Sequence, residues 1–209
     1  KFQKRDPDLC VPEHQKQVRR DTPWGEMSYI DYKHKIEFHQ KEYDIIDIYC
    51  KEKPIDWTAS AWDLNSLEFL MQFDLPFIKI PSAQFTNKKL IEAVAEKDRY
   101  CILSTGMANW NMIDEIVKIL EKKKARFALL HCNSTYPAPH DELHLSVIPE
   151  MIKRYGCTIG YSGHEPGLST TFATAVMGAS IIEKHITLDR ALWGSDQAAS
   201  VESHGIKKL

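Results

Sequence analysis

The sequence lacks the features that mark several large classes of protein. Its 27 basic and 29 acidic residues nearly balance, giving a formal net charge of −2, so no positive excess favours nucleic acid or an anionic membrane as a partner. No apolar run approaches the roughly 20 residues of a membrane span. The five cysteines are odd in number and no two are close in sequence. This spacing argues against a disulfide framework or a zinc knuckle, and it predicts a protein of the reducing cytoplasm.

Clear helix or strand signals are also missing at the beginning and the end of the sequence. Residues 1–4 show no helix or strand start, and residues 205–209 resemble an interrupted amphipathic helix. Residues 4–28 are polar, contain three prolines and show no period, which predicts a long loop. We therefore expect the chain to be an excerpt of a longer polypeptide.

A regular alternation of short apolar runs and amphipathic segments fills the remainder. The predicted strands cover residues 57–62, 77–81, 100–104, 127–132, 158–164 and 180–187. The predicted helices cover 32–51, 64–73, 88–96 (capped by Thr86 or Asn87), 145–155 and 168–178, with another around Ile113, Ile116, Val117 and Leu120. Such alternation indicates parallel βα units in an α/β fold, either doubly wound or barrel-like. Six or more units without a Gly-rich dinucleotide turn favour one domain, a (β/α)8 TIM barrel truncated at both ends.

Two histidines lie at or near the ends of the last two predicted strands. His164 ends one strand, and His185 lies near the end of the next. Neighbouring parallel strands end at the same edge of a sheet, where α/β enzymes build their sites, so we expect the two imidazoles to lie together. Period-two alternation places Glu183 on the same face as His185. A lone histidine is more often a core residue, but two imidazoles with ligand oxygens and water suit Mn²⁺, Mg²⁺ or Zn²⁺.

A lysine lies inside the predicted strand over residues 77–81. A buried lysine is costly without an anionic partner. Lys79 therefore either snorkels from the strand end or directs a cation towards a carboxylate or phosphate in the barrel mouth. Ser82 and Ser104 follow this strand and the next one. Their hydroxyls suit phosphate contacts, although serine is also an ordinary turn residue.

Further hydrogen-bonding groups follow the strand over residues 127–132. Asn133, Ser134 and Tyr136 together suit a polyhydroxylated ligand such as a sugar, or else they form a capped turn before a proline. Asp196, in a later Gly-Ser-Asp-Gln stretch, offers a loop carboxylate that the sequence cannot distinguish from a surface aspartate.

Longer motifs along the whole chain resemble the sialic acid synthases. The matching segments are KFQK, TPWG, TASAWD, IKIPS, ILSTGM, HCNSTYPAP, IGYSGHEPG and IIEKHITLDRALWGSDQAASVE. The resemblance implies condensation of phosphoenolpyruvate with an N-acetylated amino sugar. It also implies a (β/α)8 barrel followed by a small antifreeze-like domain, and a homodimer of the full-length protein. On this basis the first strand and helix, the last helix and the small domain lie outside these 209 residues.

The resemblance implies roles for individual residues. The implied metal ligands, for Mn²⁺ or Mg²⁺, are His164 and His185. The implied phosphoenolpyruvate contacts are Lys1, Ser60, Lys79, Ser82, Ser104 and Ser162. The implied sugar contacts are Tyr136 and Asp196.

Two positions depart from the pattern of the family. Gln84 and Ser134 stand where some members have glutamate and asparagine, both on the sugar side of the site. These changes affect which sugar we expect rather than the reaction, and Gln84 removes a possible general base. Proton transfer falls to Asp196 or Glu183, while Lys79 offsets substrate charge.

Two alternatives remain open at this point. One is another phosphoenolpyruvate-dependent sugar-acid synthase, of the legionaminate or pseudaminate type. The other is a catalytically silent barrel that binds a sugar or a metal. Neither alternative involves nucleic acid or a membrane.

Overall fold

The computed structural model describes residues 1–209. Its strands are β1 (Phe2–Lys4), β2 (Arg19–Thr22), β3 (Gly25–Ser28), β4 (Ala59–Ala61), β5 (Phe77–Ile80), β6 (Tyr100–Ser104), β7 (Phe127–Cys132), β8 (Thr158–Gly163), β9 (Ile182–Lys184), β10 (Ile186–Thr187) and β11 (Val201–Glu202). Its helices are α1 (Pro7–Cys10), α2 (Glu13–Lys16), α3 (Tyr29–Ile36), α4 (Gln40–Glu52), α5 (Leu64–Leu70), α6 (Lys88–Ala95), α7 (Trp110–Lys122), α8 (Val147–Arg154), α9 (Ser169–Val176) and α10 (Ser203–Ile206). None of these helices is long and apolar enough to cross a membrane.

One parallel sheet of seven strands forms the centre of the molecule. Its order is β1-β4-β5-β6-β7-β8-β9, and every neighbouring pair is parallel. The predicted α/β class is therefore confirmed. The prediction of no strand at the start of the chain is wrong, because Gln3 pairs with Ser60 in the β1–β4 ladder.

The sheet is strongly curled. Seven strands in a flat sheet would separate the two edges by about 29 Å, six spacings of about 4.8 Å. Instead, Lys1 Nζ, beside edge strand β1, lies 3.5 Å from Glu183 Oε2 on edge strand β9. The two edge strands do not pair, and a cavity of about 410 Å³ lies between them. The curl encloses a polar interior, while closure into an eight-stranded barrel and the truncation of its ends stay predictions.

The hydrophobic core lies between the convex face of the sheet and the helices. The stripe predicted for α7 is buried at all four positions, Ile113, Ile116, Val117 and Leu120. Helix α6 begins where the Asn87 side chain accepts a hydrogen bond from the Leu90 N–H, so Asn87 is the cap. This layer anchors the strands, and the concave face is left for the functional side chains.

The predicted long loop over residues 4–28 is wrong. Helices α1 and α2 and the antiparallel β2–β3 hairpin occupy most of it. The Asp6 carboxylate caps α1 by accepting from the Asp8 N–H. The hairpin turns at Pro23 and Trp24, and Gly25, which begins β3, has a φ of +94° that favours glycine. Local capping and turn chemistry organise the segment although it has no hydrophobic period.

The single helix predicted over residues 32–51 is also wrong, because α3 and α4 are separate. The chain turns inward at Glu37, whose buried carboxylate accepts hydrogen bonds from Lys4 Nζ at 3.3 Å and from Arg5 Nε at 3.1 Å. Helix α4 then begins with a capping box in which the His39 N–H donates to Glu42. A buried ion cluster therefore overrides the helical pattern.

The last predicted strand, 180–187, is divided at His185. Strand β9 belongs to the large sheet, whereas β10 pairs with β11 in a separate ribbon. The His185 carbonyl accepts a hydrogen bond from the Val201 N–H at 2.8 Å. His185 thus lies where the chain leaves the main sheet.

Strand β8 packs too closely to accept a side chain at Gly160. A Cβ there would lie 2.4 Å from the Ile181 carbonyl oxygen and 2.5 Å from Leu130 Cδ2. We predict that Gly160→Ala lowers the free energy of unfolding by about 1–3 kcal/mol, through overpacking. Urea denaturation should show this loss, with Gly156→Ala as control because a Cβ at Gly156 meets nothing within 4 Å. Equal stability of the two variants would contradict the prediction.

Candidate active site

Most of the predicted site residues lie around one pocket of about 210 Å³ inside the curl of the sheet, which we call the polar pocket. Its lining includes Lys1, Ser60, Lys79, Ser82, Ser104, Ser134, Tyr136, Ser162, His164, Glu183 and His185. Of the predicted residues, only Gln84, Asn133 and Asp196 do not line it. Side chains from widely separated parts of the sequence therefore meet where the parallel strands converge.

Lys79 is buried in the floor of the polar pocket and is only 2% exposed, which excludes a snorkelling side chain. Its ammonium donates hydrogen bonds to Ser104 Oγ at 2.7 Å and to the Ile80 carbonyl at 3.1 Å. The Glu183 carboxylate lies 3.4 Å away. Burial lowers the pKa of Lys79 to about 8, although Glu183 opposes the shift.

Glu183 bridges the two lysines of the polar pocket. Its carboxylate lies 3.5 Å from Lys1 Nζ, on the far side from Lys79, and accepts a hydrogen bond from Ser162 Oγ at 2.8 Å. Burial alone would raise the pKa of Glu183, but Lys79 and Lys1 lower it to about 2. Glu183 is therefore a carboxylate at neutral pH, and two ammonium groups share it. The excess positive charge suits an anionic ligand.

Serine hydroxyls form a second wall of the polar pocket, and Gly106 packs against two of them. The Gly106 N–H donates to Ser82 Oγ at 3.1 Å. A Cβ at Gly106 would lie 2.2 Å from Ser134 Oγ, so only glycine fits there. The Ser134 hydroxyl oxygen is buried without a hydrogen-bond partner. An orphaned buried hydroxyl is costly, and an oxygen-rich ligand in the pocket could satisfy it.

The two predicted imidazoles are neighbours. Their ring centroids are 5.2 Å apart and their planes are inclined by 71°. His164 Nδ1 lies 2.6 Å from the Asn133 carbonyl. It must therefore carry the proton, which leaves a lone pair on Nε2. Burial lowers the pKa of His185, so its ring is neutral near pH 7. The Nε2 atom of His164 and the neutral ring of His185 are the groups that would bind a metal ion.

The chemistry of this donor set fits a divalent ion only in part. Nowhere in residues 1–209 do three or more His, Cys, Asp or Glu side chains cluster as a metal cage would require. Two imidazoles can hold an ion whose other positions are filled by water and ligand oxygens. The Tyr136 hydroxyl lies 2.9 Å from His164 Nε2 and would have to turn aside. The backbone carbonyl behind His164 is a typical support for a metal-ligating histidine.

A larger cavity of about 720 Å³ adjoins the polar pocket. We call it the aromatic cleft, after its aromatic lining residues Trp24, Tyr32, Trp62, Tyr136 and Trp193. Trp62 and Tyr136 line both cavities, which are therefore contiguous. Tyr32 and Trp193 meet edge to face at 5.4 Å and join the segment after the β2–β3 hairpin to the loop after β10.

The three remaining predicted residues lie outside the polar pocket. The Asn133 side chain donates a hydrogen bond to the Glu142 carbonyl at 3.0 Å and accepts one from the Thr135 N–H at 2.8 Å. Asp196 lines the aromatic cleft, and its Oδ2 atom is 3.5 Å from His185 Nδ1. Gln84 accepts a hydrogen bond from the Asn87 side chain at 2.9 Å. Asp196 thus borders both the imidazoles and the cleft, whereas Gln84 is engaged in the turn before α6.

Several lining residues were not predicted. Gln3 and Trp62 line both cavities, and each lies two positions after a predicted residue, Lys1 or Ser60. The period of two along a strand would have identified them. No sequence signal identifies the Asn133 carbonyl that orients His164, because it is a backbone group.

A curled parallel sheet with cations, hydroxyls and imidazoles on its concave side defines an α/β enzyme site for an anionic ligand. The model of the NeuB family matches residues 1–209. The N-acetylneuraminate-9-phosphate synthase of Drosophila melanogaster is 38% identical over 191 residues, which are 90% of this chain and 51% of the relative. The N,N'-diacetyllegionaminic acid synthase of Campylobacter jejuni is 32% identical, over 100% of this chain and 64% of the relative.

A solved structure agrees with these sequence relatives. The N-acetylneuraminic acid synthetase of Leptospira borgpetersenii, in complex with citrate, has a TM-score of 0.83 and 35% identity. The similarity covers 86% of this chain and 63% of that protein. The chain belongs to the NeuB family, as the motif resemblance predicted. It spans about half the length of the N-acetylneuraminate-9-phosphate synthases that it matches.

The lowered pKa of Lys79 predicts how anion binding depends on pH. Lys79 is a cation below its pKa of about 8 and neutral above it. Phosphoenolpyruvate can serve as an anionic probe, because its phosphate group, with a second pKa of about 6, does not titrate in that range. We predict that the Kd for phosphoenolpyruvate rises by up to about tenfold per pH unit above pH 8.

Isothermal titration calorimetry from pH 7 to 9.5 measures this dependence. Lys79→Met should bind more weakly at pH 7 and lose the rise attributed to Lys79. An identical slope in the wild type and the variant would remove Lys79 from the anion site.

Proposed function

We propose that the protein condenses phosphoenolpyruvate with an N-acetylated amino sugar to give a nine-carbon sialic-type acid, with release of phosphate. Membership of the NeuB family supports this reaction class. The single observation that carries the proposal is Glu183 held between Lys1 and Lys79, next to His164 and His185. An anion site thereby adjoins a pair of imidazoles.

The phosphoenolpyruvate site is the half of the polar pocket that the strands build. Lys1 and Lys79 offset the charges of the phosphate and carboxylate groups. Hydroxyl and amide groups supply hydrogen bonds around them, from Ser60, Ser82, Ser104, Gly106, Ser134 and Ser162. The orphaned Ser134 hydroxyl gains a partner when the anion enters. Ser134 therefore serves phosphoenolpyruvate as well as the sugar.

The acceptor site is the aromatic cleft. Sugars present apolar C–H faces and polar edges, and a cleft with aromatic walls and a few polar groups matches both. Asp196 and Tyr136 lie where the cleft meets the polar pocket. An acceptor extending through this junction would bring its aldehyde carbon to C3 of phosphoenolpyruvate.

His164 and His185 would hold the divalent ion, Mn²⁺ or Mg²⁺, that this reaction class implies. When bound, such an ion supplies Lewis-acid polarisation of the acceptor aldehyde. The Asn133 carbonyl fixes the tautomer of His164, and Asp196 lies beside His185. The chain's contribution is to hold both imidazoles close to the junction of the two cavities.

The remaining catalysis is orientation and proton management by the chain. Holding two reactants in a productive geometry contributes up to about 7–11 kcal/mol in favourable cases. C3 of phosphoenolpyruvate forms the new bond to the aldehyde carbon, water adds at C2, and cleavage of the C–O bond releases phosphate. With a pKa of about 2, Glu183 cannot donate a proton at neutral pH. It is a weak base for the same reason, so it is suited to orient the incoming water by accepting a hydrogen bond, and Asp196 is placed to serve the acceptor hydroxyl.

The reaction can be tested in the complete protein by phosphate release. Phosphoenolpyruvate is offered with N-acetylmannosamine, with its 6-phosphate, and with diacetylated amino sugars, each with and without a chelator. We expect turnover of at least one acceptor that the chelator abolishes and Mn²⁺ or Mg²⁺ restores. Absence of turnover with every acceptor would favour a silent sugar-binding barrel.

Removal of one imidazole distinguishes a loss of the metal site from a loss of the fold. We predict that His185→Ala lowers kcat by roughly 1000-fold, because several kcal/mol of transition-state stabilisation are lost. The exposed His204, with its side chain 73% accessible, provides the control variant His204→Ala. Metal-stimulated turnover by His185→Ala at the control rate would refute the ligand assignment.

A variant in the aromatic cleft tests the acceptor site. We predict that Trp193→Ala raises the KM for the amino sugar about tenfold, by loss of roughly 1.4 kcal/mol of aromatic contact. The KM for phosphoenolpyruvate should stay unchanged, because Trp193 does not line the polar pocket. Trp110→Ala is the matched control, since Trp110 is also partly exposed but lines neither cavity. Equal changes in both KM values would place the acceptor elsewhere.

A further inference from the structure

A second buried ion pair lies directly behind the two imidazoles and has no place in the proposed reaction. We propose that Glu165 and Lys184 are positioning residues that set the separation of His164 and His185, and thereby the affinity for the metal ion. Each residue of the pair is adjacent in sequence to one of the histidines. The proposal rests on the metal centre of the proposed function.

The contacts of the pair are short and shielded from water. Lys184 Nζ lies 2.8 Å from Glu165 Oε1 and 2.7 Å from the Glu165 backbone carbonyl. The side chains are 4% and 0% exposed, respectively. An ion pair in such surroundings is strong and sharply directional once its hydrogen bonds are complete. Lys184 therefore fixes the backbone as well as the side chain of the residue after His164.

The position of the pair in the sheet explains why it is needed. The β8–β9 ladder ends with Gly163 opposite Lys184, so both histidines lie just beyond the last paired residues. The chain leaves the main sheet at His185, where β10 joins a different ribbon. Backbone pairing between β8 and β9 thus ends one residue before each histidine. The Glu165–Lys184 contact is what continues the connection between the two segments past the end of the ladder.

The second carboxylate oxygen of Glu165 is also held. Tyr161 donates a hydrogen bond to Glu165 Oε2 at 2.7 Å. A Cβ at Gly163 would lie 2.8 Å from the same oxygen and 2.6 Å from the Tyr161 ring, so glycine allows this close packing. Glu165 is fixed by Tyr161 from β8 and by Lys184 from β9. Through it the two histidine-bearing segments have one relative position.

His185, on the β9 side, has fewer contacts that restrain it than His164 has. His164 is held by the Asn133 carbonyl and by a hydrogen bond from the Ala138 N–H to its own carbonyl. His185 has the Val201 N–H on its carbonyl and Asp196 beside its ring. The Tyr136 ring lies 4.0 Å from the His164 ring and 5.5 Å from the His185 ring, but no hydrogen bond of either set joins one histidine segment to the other. Loosening the Glu165–Lys184 contact should therefore let His185 move relative to His164.

The test removes both charges together, so that no buried charge is left unpaired. In the complete protein, Glu165→Gln with Lys184→Met should keep the Tm of the wild type in the presence of a chelator. We expect its Kd for Mn²⁺, measured by the electron paramagnetic resonance signal of the free ion, to rise about 10- to 100-fold, as for other residues that support metal ligands. The matched control is Glu150→Gln with Lys153→Met, which removes an exposed ion pair of the same charges and should leave the Kd unchanged.

An unchanged Kd for Mn²⁺ in the folded double variant would overturn the proposal. Should that variant fail to fold, Tyr161→Phe keeps both charges and removes only the hydroxyl bound to Glu165. We expect a several-fold rise in its Kd, and an unchanged Kd would again overturn the proposal. If the wild type binds no Mn²⁺, the metal centre of the proposed function fails. The ring separation in a crystal structure then decides the positioning role, and the wild-type value of 5.2 Å in the folded double variant would exclude it.

Discussion

The buried contact between Lys79 and Glu183 is the interaction on which the rest of the site depends. It joins the third strand of the large sheet to its seventh across the interior, and Lys1 extends it to the first. A curled sheet brings these charges together, and their attraction in turn favours the curl. Isolated, either charge would be costly to bury. The polar interior is thus part of the architecture as well as a ligand site.

The site has three parts, and different structural elements carry the residues of each. Strands and the turns directly after them hold the anion-binding lysines and serines. The imidazoles lie at the ends of β8 and β9, where backbone pairing stops. The aromatic cleft is built largely from segments outside the main sheet, including the loop that carries Trp193. Elements of the large sheet therefore hold the groups proposed to act on phosphoenolpyruvate, and segments outside it contact the proposed acceptor.

Sequence periodicity was sufficient to predict the strands and helices that build the core. It also predicted most of the residues that line the polar pocket. The apolar stripe of α7 and the short runs before Ser104 and His164 needed only local pattern, and parallel topology then brought their ends together. Sequence periodicity predicted the wrong element bounds where the contacts of a buried polar group determine the path of the chain. Glu37 interrupts a helix by binding Lys4 and Arg5. His185 interrupts a strand because its carbonyl pairs with a segment 16 positions later, Val201. Such contacts between distant residues leave no local signature.

The ribbon of β10 and β11 has a consequence for how acceptor choice could diversify in this family. Its paired residues, Ile186 with Val201 and Thr187 with Glu202, bring the two ends of residues 188–200 side by side. That segment carries Trp193 and Asp196, yet it contributes no strand to the large sheet. Because this loop is closed at its base, it can be lengthened, shortened or replaced by that of a relative. Lys1 and Lys79 would keep their positions in the polar pocket. Evolution could therefore exchange the sugar at the proposed acceptor site without rebuilding the centre proposed to activate phosphoenolpyruvate.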